Sequence, residues 1–186
     1  MSSHTCPWWL GRLLVSPVRR LFDNPRTRLA PYVREGMRVL EPGPGMGFFT
    51  LELARLVGPG GRVVAVDFQE EMVKGLRRRA RRAGLADRID ARVCTAGDLG
   101  VGDLAGTVDL AVLIYMLHEV ADPEAFLRAL FAALKPGGSV LIVEPRGHVS
   151  AAAFQASLDQ AAAAGLALAE PARGRELRVL LRRPAA

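Results

Sequence analysis

The chain has 186 residues, half of them apolar, which sets the scale of one domain with its own core and excludes a scaffold that folds only with disulfides. Its two cysteines, Cys6 and Cys94, point to a reducing, cytoplasmic setting, no apolar run reaches the ~20 residues that span a bilayer, and the opening MSSHTCPWWLGRLLV is a poor secretion signal. The net charge of +6 rests on 25 basic against 19 acidic residues, and all the basic ones except Lys74 and Lys135 are arginine; with Ala, Gly and Pro also abundant, that reads as coding bias and is weak evidence for a nucleic-acid partner.

Residues 7–22, PWWLGRLLVSPVRRLF, mix apolar residues and arginine as one or two short amphipathic helices do, with breaks at Gly11 and Pro17. Residues 25–34 read as a further helix ended near Pro31. A regular alternation follows: strand 37–41, a glycine loop, helix 47–57, strand 62–67, helix 69–84 and strand 88–93. The 69–84 helix begins acidic and ends basic, as the helix dipole favours. Strand 108–115, a helix from Asp122 through Leu134, strand 139–145 and an Ala-rich helix 150–164 come next, and strands 166–170 and 176–182 close the chain. Strands alternating with helices of this length imply βαβ units around a parallel sheet, and runs such as AVLI and LIV imply strands buried on both faces. Only about five residues join the last two strands, too few for a parallel crossover, so they form an antiparallel hairpin. The predicted fold is α/β: a doubly wound, mostly parallel seven-stranded sheet with an antiparallel last strand. Two parts are expected, a helical segment 1–30 and a ligand-binding domain 31–186.

The chemistry is concentrated in VLEPGPGMGFFT. Gly43, Gly45 and Gly47 lie between a strand and a helix, where glycines permit a tight turn and let a ligand approach the backbone. Glu41 precedes them by two residues, and Asp67 ends the next strand, where a carboxylate grips a ribose diol. A nicotinamide-binding fingerprint would need its third glycine one residue later.

These motifs resemble those of the class I S-adenosylmethionine-dependent methyltransferases. Glu41 with Gly43, Gly45 and Gly47 matches that family's first motif, Asp67 in VVAVDFQ its ribose-binding acid, Asp98 in CTAGDL the acid beside adenine, and LKPGGSVLIVEP its later motif. The resemblance covers about residues 33–183. It implies S-adenosylmethionine as cofactor, held by Glu41, Gly43, Pro44, Gly45, Gly47, Phe48, Asp67, Phe68, Met72, Gly97, Asp98, Leu99 and Ile114. The acceptor is expected beyond the carboxyl ends of strands four and five. Tyr115 and His118 follow strand four and are the candidate catalytic residues, His118 as a base at neutral pH. Glu144 and His148 follow strand five as candidate acceptor contacts, although Glu144 reads more readily as a structural strand-end acid. The few histidines and cysteines show no zinc spacing, so no metal is expected.

Residues 1–30, with Trp8 and Trp9 beside arginines, are the one available cover for an acceptor. Three roles are open to them: a lid shaping the pocket of a small apolar acceptor, a peripheral contact with a membrane surface, or a homodimer contact. The expected function is methyl transfer to a small molecule; RNA or protein methylation, and a non-catalytic cofactor-binding protein, are the alternatives.

Overall fold

The computed structural model describes Arg19 and residues 23–95, 97–170 and 177–185. Trp8, Trp9, most of the predicted 7–22 helices and the PARGR link therefore lie outside the described residues. The chain divides into two compact units, Met1–Thr95 and Ala96–Ala186.

In the first unit α1 (Pro25–Leu29) begins at Asn24, whose side chain accepts the Arg26 N–H, and Pro25 occupies a position where no N–H is needed. It leads through β1 (Arg38–Pro42) to α2 (Thr50–Leu56), β2 (Arg62–Asp67), α3 (Glu70–Arg82) and β3 (Ile89–Val93). The three strands are parallel, with Leu40 opposite Val64 and Val64 opposite Asp90. Val39, Leu40 and Val63–Val66 are buried, as a strand covered on both faces requires. Helix α3 turns Met72, Val73, Leu76 and Ala80 inward and leaves Arg77, Arg78, Arg81 and Arg82 exposed. The helix predicted from residue 47 starts at Thr50, because residues 45–49 form the turn that carries the glycines.

The second unit runs β4 (Val108–Ile114), α4 (Pro123–Ala133), β5 (Leu134–Glu144), α5 (Ala151–Ala163), β6 (Ala167–Glu170) and β7 (Leu177–Arg182). β4 and β5 are parallel, β5 and β7 antiparallel, and β6 and β7 antiparallel, as the short last link required. The predicted start of β5 at residue 139 is corrected to Leu134. Leu134 pairs with Val108 and the ladder resumes at Leu110 and Ser139, so Lys135–Gly138 bulge out of a continuing strand. Arg183 anchors the bulge: its N–H donates to the Gly138 carbonyl and its carbonyl accepts the Gly137 N–H.

The seven strands are ordered β3-β2-β1-β4-β5-β7-β6, the doubly wound, mostly parallel sheet with an antiparallel end that the sequence pattern predicted.

Candidate active site

In the first unit the site is built where β1 and β2 end. The Gly43 N–H donates to the Val66 carbonyl and the Gly47 N–H to the Pro44 carbonyl, folding residues 43–47 into a tight turn. Asp67 locks that turn: its Oδ2 accepts the Gly45 N–H at 3.2 Å and its Oδ1 the Gln69 N–H at 2.9 Å. Burial raises the Asp67 pKa, and these two backbone donors oppose the rise. Each carboxylate oxygen keeps further acceptor capacity for a diol. Gly47 has φ +83, a backbone conformation that favours glycine, and a Cβ there would press on the end of the Leu76 side chain of α3.

Glu41 lies beneath this turn, 4% exposed. Its Oε2 has no hydrogen-bond partner among the described residues. Burial, with a smaller push from the Asp67 charge and against the Thr50 hydroxyl, raises its pKa from 4.5 to about 8. A buried carboxyl group with an open oxygen is suited to a cation or N–H donor carried by a ligand.

The other predicted cofactor residues of this unit divide by exposure. Pro44, Phe48 and Met72 are buried, while Phe68, directly after Asp67, is 49% exposed and offers an apolar face beside the carboxylate. Phe48 packs edge-on against Phe49 at 5.0 Å, and the Arg19 guanidinium sits 4.2 Å over its ring. This tie from the N-terminal segment to the glycine turn was missed from sequence, as was the Arg79 guanidinium that bonds the Met46 carbonyl from α3. Nothing in the spacing of either arginine marks it.

In the second unit Gly97 and Asp98 are exposed, and Asp98 Oδ1 accepts the Gly100 N–H at 2.8 Å. Leu99 and Ile114 are half-buried. Tyr115, the first residue past β4, has φ +60, a left-handed conformation costly for a residue with a Cβ. Its N–H donates to the Val143 carbonyl. A single 3-10 turn, Leu117–Glu119, follows.

The structure brings His118 and Glu144 together and gives Glu144 partners within the chain. Glu144, at the end of β5, is 3% exposed. Its Oε1 accepts the Leu117 N–H at 2.8 Å and the His118 N–H at 3.3 Å, and its Oε2 lies 2.6 Å from His118 Nδ1. The strand-end reading of Glu144 thus has the stronger geometric support, the acceptor-contact reading the weaker. His148 stands next to His118, ring centroids 6.2 Å apart. A histidine after one strand and an acid 26 residues later carry no joint sequence signal; the parallel pairing of β4 and β5 joins them.

The family model described as "Methyltransferase domain" matches residues 33–174. The chain is 35% identical over 112 residues to the ubiquinone/menaquinone biosynthesis C-methyltransferase UbiE of Pasteurella multocida, covering 60% of this chain and 41% of that protein. It is 36% identical over 119 residues to the protein of the same name from Idiomarina loihiensis, covering 64% and 47%. The chain thus spans less than half the length of these curated relatives. The solved structure of a SAM-dependent methyltransferase from Aquifex aeolicus has the same fold, with a TM-score of 0.82 at 24% identity over 96% of this chain and 98% of that one. The open Oε2 of the buried Glu41 and the glycine turn locked by Asp67 fit S-adenosylmethionine, the cofactor of that group. On the match of its residues 33–174, the chain belongs to the methyltransferase-domain family, in its class I S-adenosylmethionine-dependent branch.

Proposed function

We propose that the protein transfers the methyl group of S-adenosylmethionine to a small-molecule acceptor, with carbon as the acceptor atom. The observation that carries methyl transfer is the donor half: a glycine turn locked by Asp67, and the buried Glu41 whose Oε2 has no partner among the described residues. The acceptor class rests on the curated relatives, which carry "C-methyltransferase" and quinone biosynthesis in their name.

S-adenosylmethionine, when bound, supplies an already activated methyl group whose positive charge disappears on transfer. The task of the chain is then to hold and orient the reactants and to manage one proton. Glu41, Gly43, Gly45, Gly47, Asp67 and Phe68 hold the donor, with Pro44, Phe48 and Met72 packed behind the turn. Gly97, Asp98, Leu99 and Ile114 complete the donor contacts in this reading. Tyr115 and His118 serve the acceptor, His118 as base with its Nδ1 occupied by Glu144. His148, Trp8 and Trp9 are assigned to acceptor contact.

Purified protein incubated with methyl-labelled donor and a metabolite extract, a total RNA preparation or a protein lysate tests this. Label in a low-mass product is expected; label confined to RNA or protein overturns the small-molecule reading. His118→Ala is expected to lower turnover at saturating donor at least 100-fold with donor affinity kept, as loss of a general base does. Normal turnover in that variant removes His118 from the chemistry.

A further inference from the structure

We propose that the cleft between α3 and the edge strand β3 binds a small-molecule phosphate ester, at a site separate from the donor turn. The proposal does not rest on the methyl-transfer reading.

The cleft has a volume of about 290 Å³ and lies within the first unit. Three arginines from two elements line it: Arg62, the first residue of β2, and Arg77 and Arg81, four residues apart on one face of α3. The helix dipole favours basic residues at the end of α3, but it gives no reason for Arg62 to join them from β2. All three arginines are exposed, and none is in an ion pair among the described residues. Arg62 Nη1 donates to the Asp87 carbonyl at 3.3 Å, and Arg77 Nη2 donates to the Ala91 carbonyl. A carbonyl orients a guanidinium without cancelling its charge, and each group keeps most of its N–H donors for a ligand.

The nearby acids are committed elsewhere. Asp90 is the acid in the lining, and its Oδ2 accepts from Arg92 Nε at 3.0 Å and Nη2 at 2.8 Å. Glu70 and Glu71, at the start of α3, both pair with Lys74. The cleft therefore gathers positive charge and holds little negative charge of the protein's own, which favours an anion.

The lining also selects the anion. A guanidinium fork matches two oxygens of a phosphate at once, and a phosphate ester offers an oxygen more than a carboxylate for three such forks to share. Ala80, Ile89 and Ala91, all buried, supply apolar lining on which the organic part of an ester can rest. A polynucleotide needs a track rather than a cleft, and Arg78 and Arg82, exposed on the same helix, are not part of the lining. The donor turn is remote: β2 runs from Arg62 to Asp67, which puts about 17 Å of strand between the first arginine and the carboxylate that locks the turn.

Titration of the full chain with phenyl phosphate at about 0.15 M salt, followed by proton–nitrogen-15 NMR, tests this. Saturable shifts are expected at Arg62, Arg77, Arg81 and Ile89–Ala91, with tighter binding than for benzoate, and with the same affinity when S-adenosylmethionine is saturating. The double variant Arg77→Gln/Arg81→Gln is expected to weaken binding about 10–100-fold, the loss of charge-assisted hydrogen bonds. Arg78→Gln/Arg82→Gln removes the same charge from the same helix outside the cleft and is expected to keep the affinity within about twofold. The absence of saturable shifts in the native protein overturns the proposal, whether or not the variants fold. Shifts centred on the glycine turn, or competition with S-adenosylmethionine, overturn it as well. Equal weakening in the two variant pairs reduces the effect to general attraction and rejects a built site. Single-stranded RNA that binds where phenyl phosphate does not makes these arginines a nucleic-acid face and overturns the small-molecule assignment.

Discussion

Glu41 puts a cost of folding and a means of binding on one side chain. Its pKa is raised from 4.5 to about 8, chiefly by burial. The folded state therefore holds the proton more tightly than the unfolded one. Glu41's contribution is most favourable below about 4.5 and is lost progressively as pH rises toward about 8, where folding must bury a charge. Glu41→Gln removes this dependence. In thermal unfolding without donor, the variant is expected to match the native protein near pH 5 and exceed it at pH 9, by an order of a few kcal/mol. The same variant is expected to bind S-adenosylmethionine more weakly. Parallel stability–pH curves for the two proteins would remove the buried charge from the account. Asp67 acts differently, because each of its oxygens already accepts one backbone N–H, from Gly45 and from Gln69, and still has capacity for a ligand hydroxyl. Asp67→Ala is expected to weaken donor binding about 10–100-fold in calorimetry, the loss of a hydrogen bond to a charged group plus a loosened turn. Unchanged affinity would place the ribose away from this carboxylate.

Elements were legible in the sequence to the extent that their signals are local. β-branched and apolar runs placed β1 to β5 on consecutive parallel strands, and the loop length of the last hairpin placed β6 and β7 antiparallel. The 134–138 stretch failed because a Lys-Pro-Gly-Gly run reads as a stop, whereas here it bulges from a strand secured by Arg183. The site was legible in the same measure: the glycine turn, Glu41 and Asp67 are marked by residue type and spacing along one βαβ unit. The Glu144–His118 pair and the Arg19–Phe48 stack are contacts between distant positions, and no periodicity encodes them. Arg19 is the described residue of the N-terminal segment that reaches the donor turn. It sits over Phe48 and Phe49 and forms an ion pair with Asp23, which also pairs with Arg28. Arg19→Ala is expected to lower stability in urea unfolding by about 0.5–2 kcal/mol, the range of a partly desolvated cation–π contact. No change in midpoint would show that the segment is not anchored there.

At the scale of the whole molecule, recognition of the donor is expected to appear as stability. The marginal stability of a folded domain is a small difference between large terms, so a ligand that binds only the folded state shifts it visibly. At about 100 times its dissociation constant a donor adds about 2.7 kcal/mol, which for a chain of this length raises the melting temperature by roughly 5–10 °C. S-adenosylmethionine is expected to produce that shift and NAD none, since the third glycine, Gly47, follows Gly45 by two residues and begins no dinucleotide fingerprint. The shift also carries the signature of Glu41. A cationic donor favours the ionised carboxylate, so binding below pH 8 releases a proton, and the donor-induced shift is expected to grow from pH 6 to pH 8.5. In Glu41→Gln that growth is expected to vanish while a smaller shift remains. A pH-independent shift in the native protein would mean that Glu41 stays protonated with the donor bound, and that the buried carboxyl serves as a neutral hydrogen-bonding group.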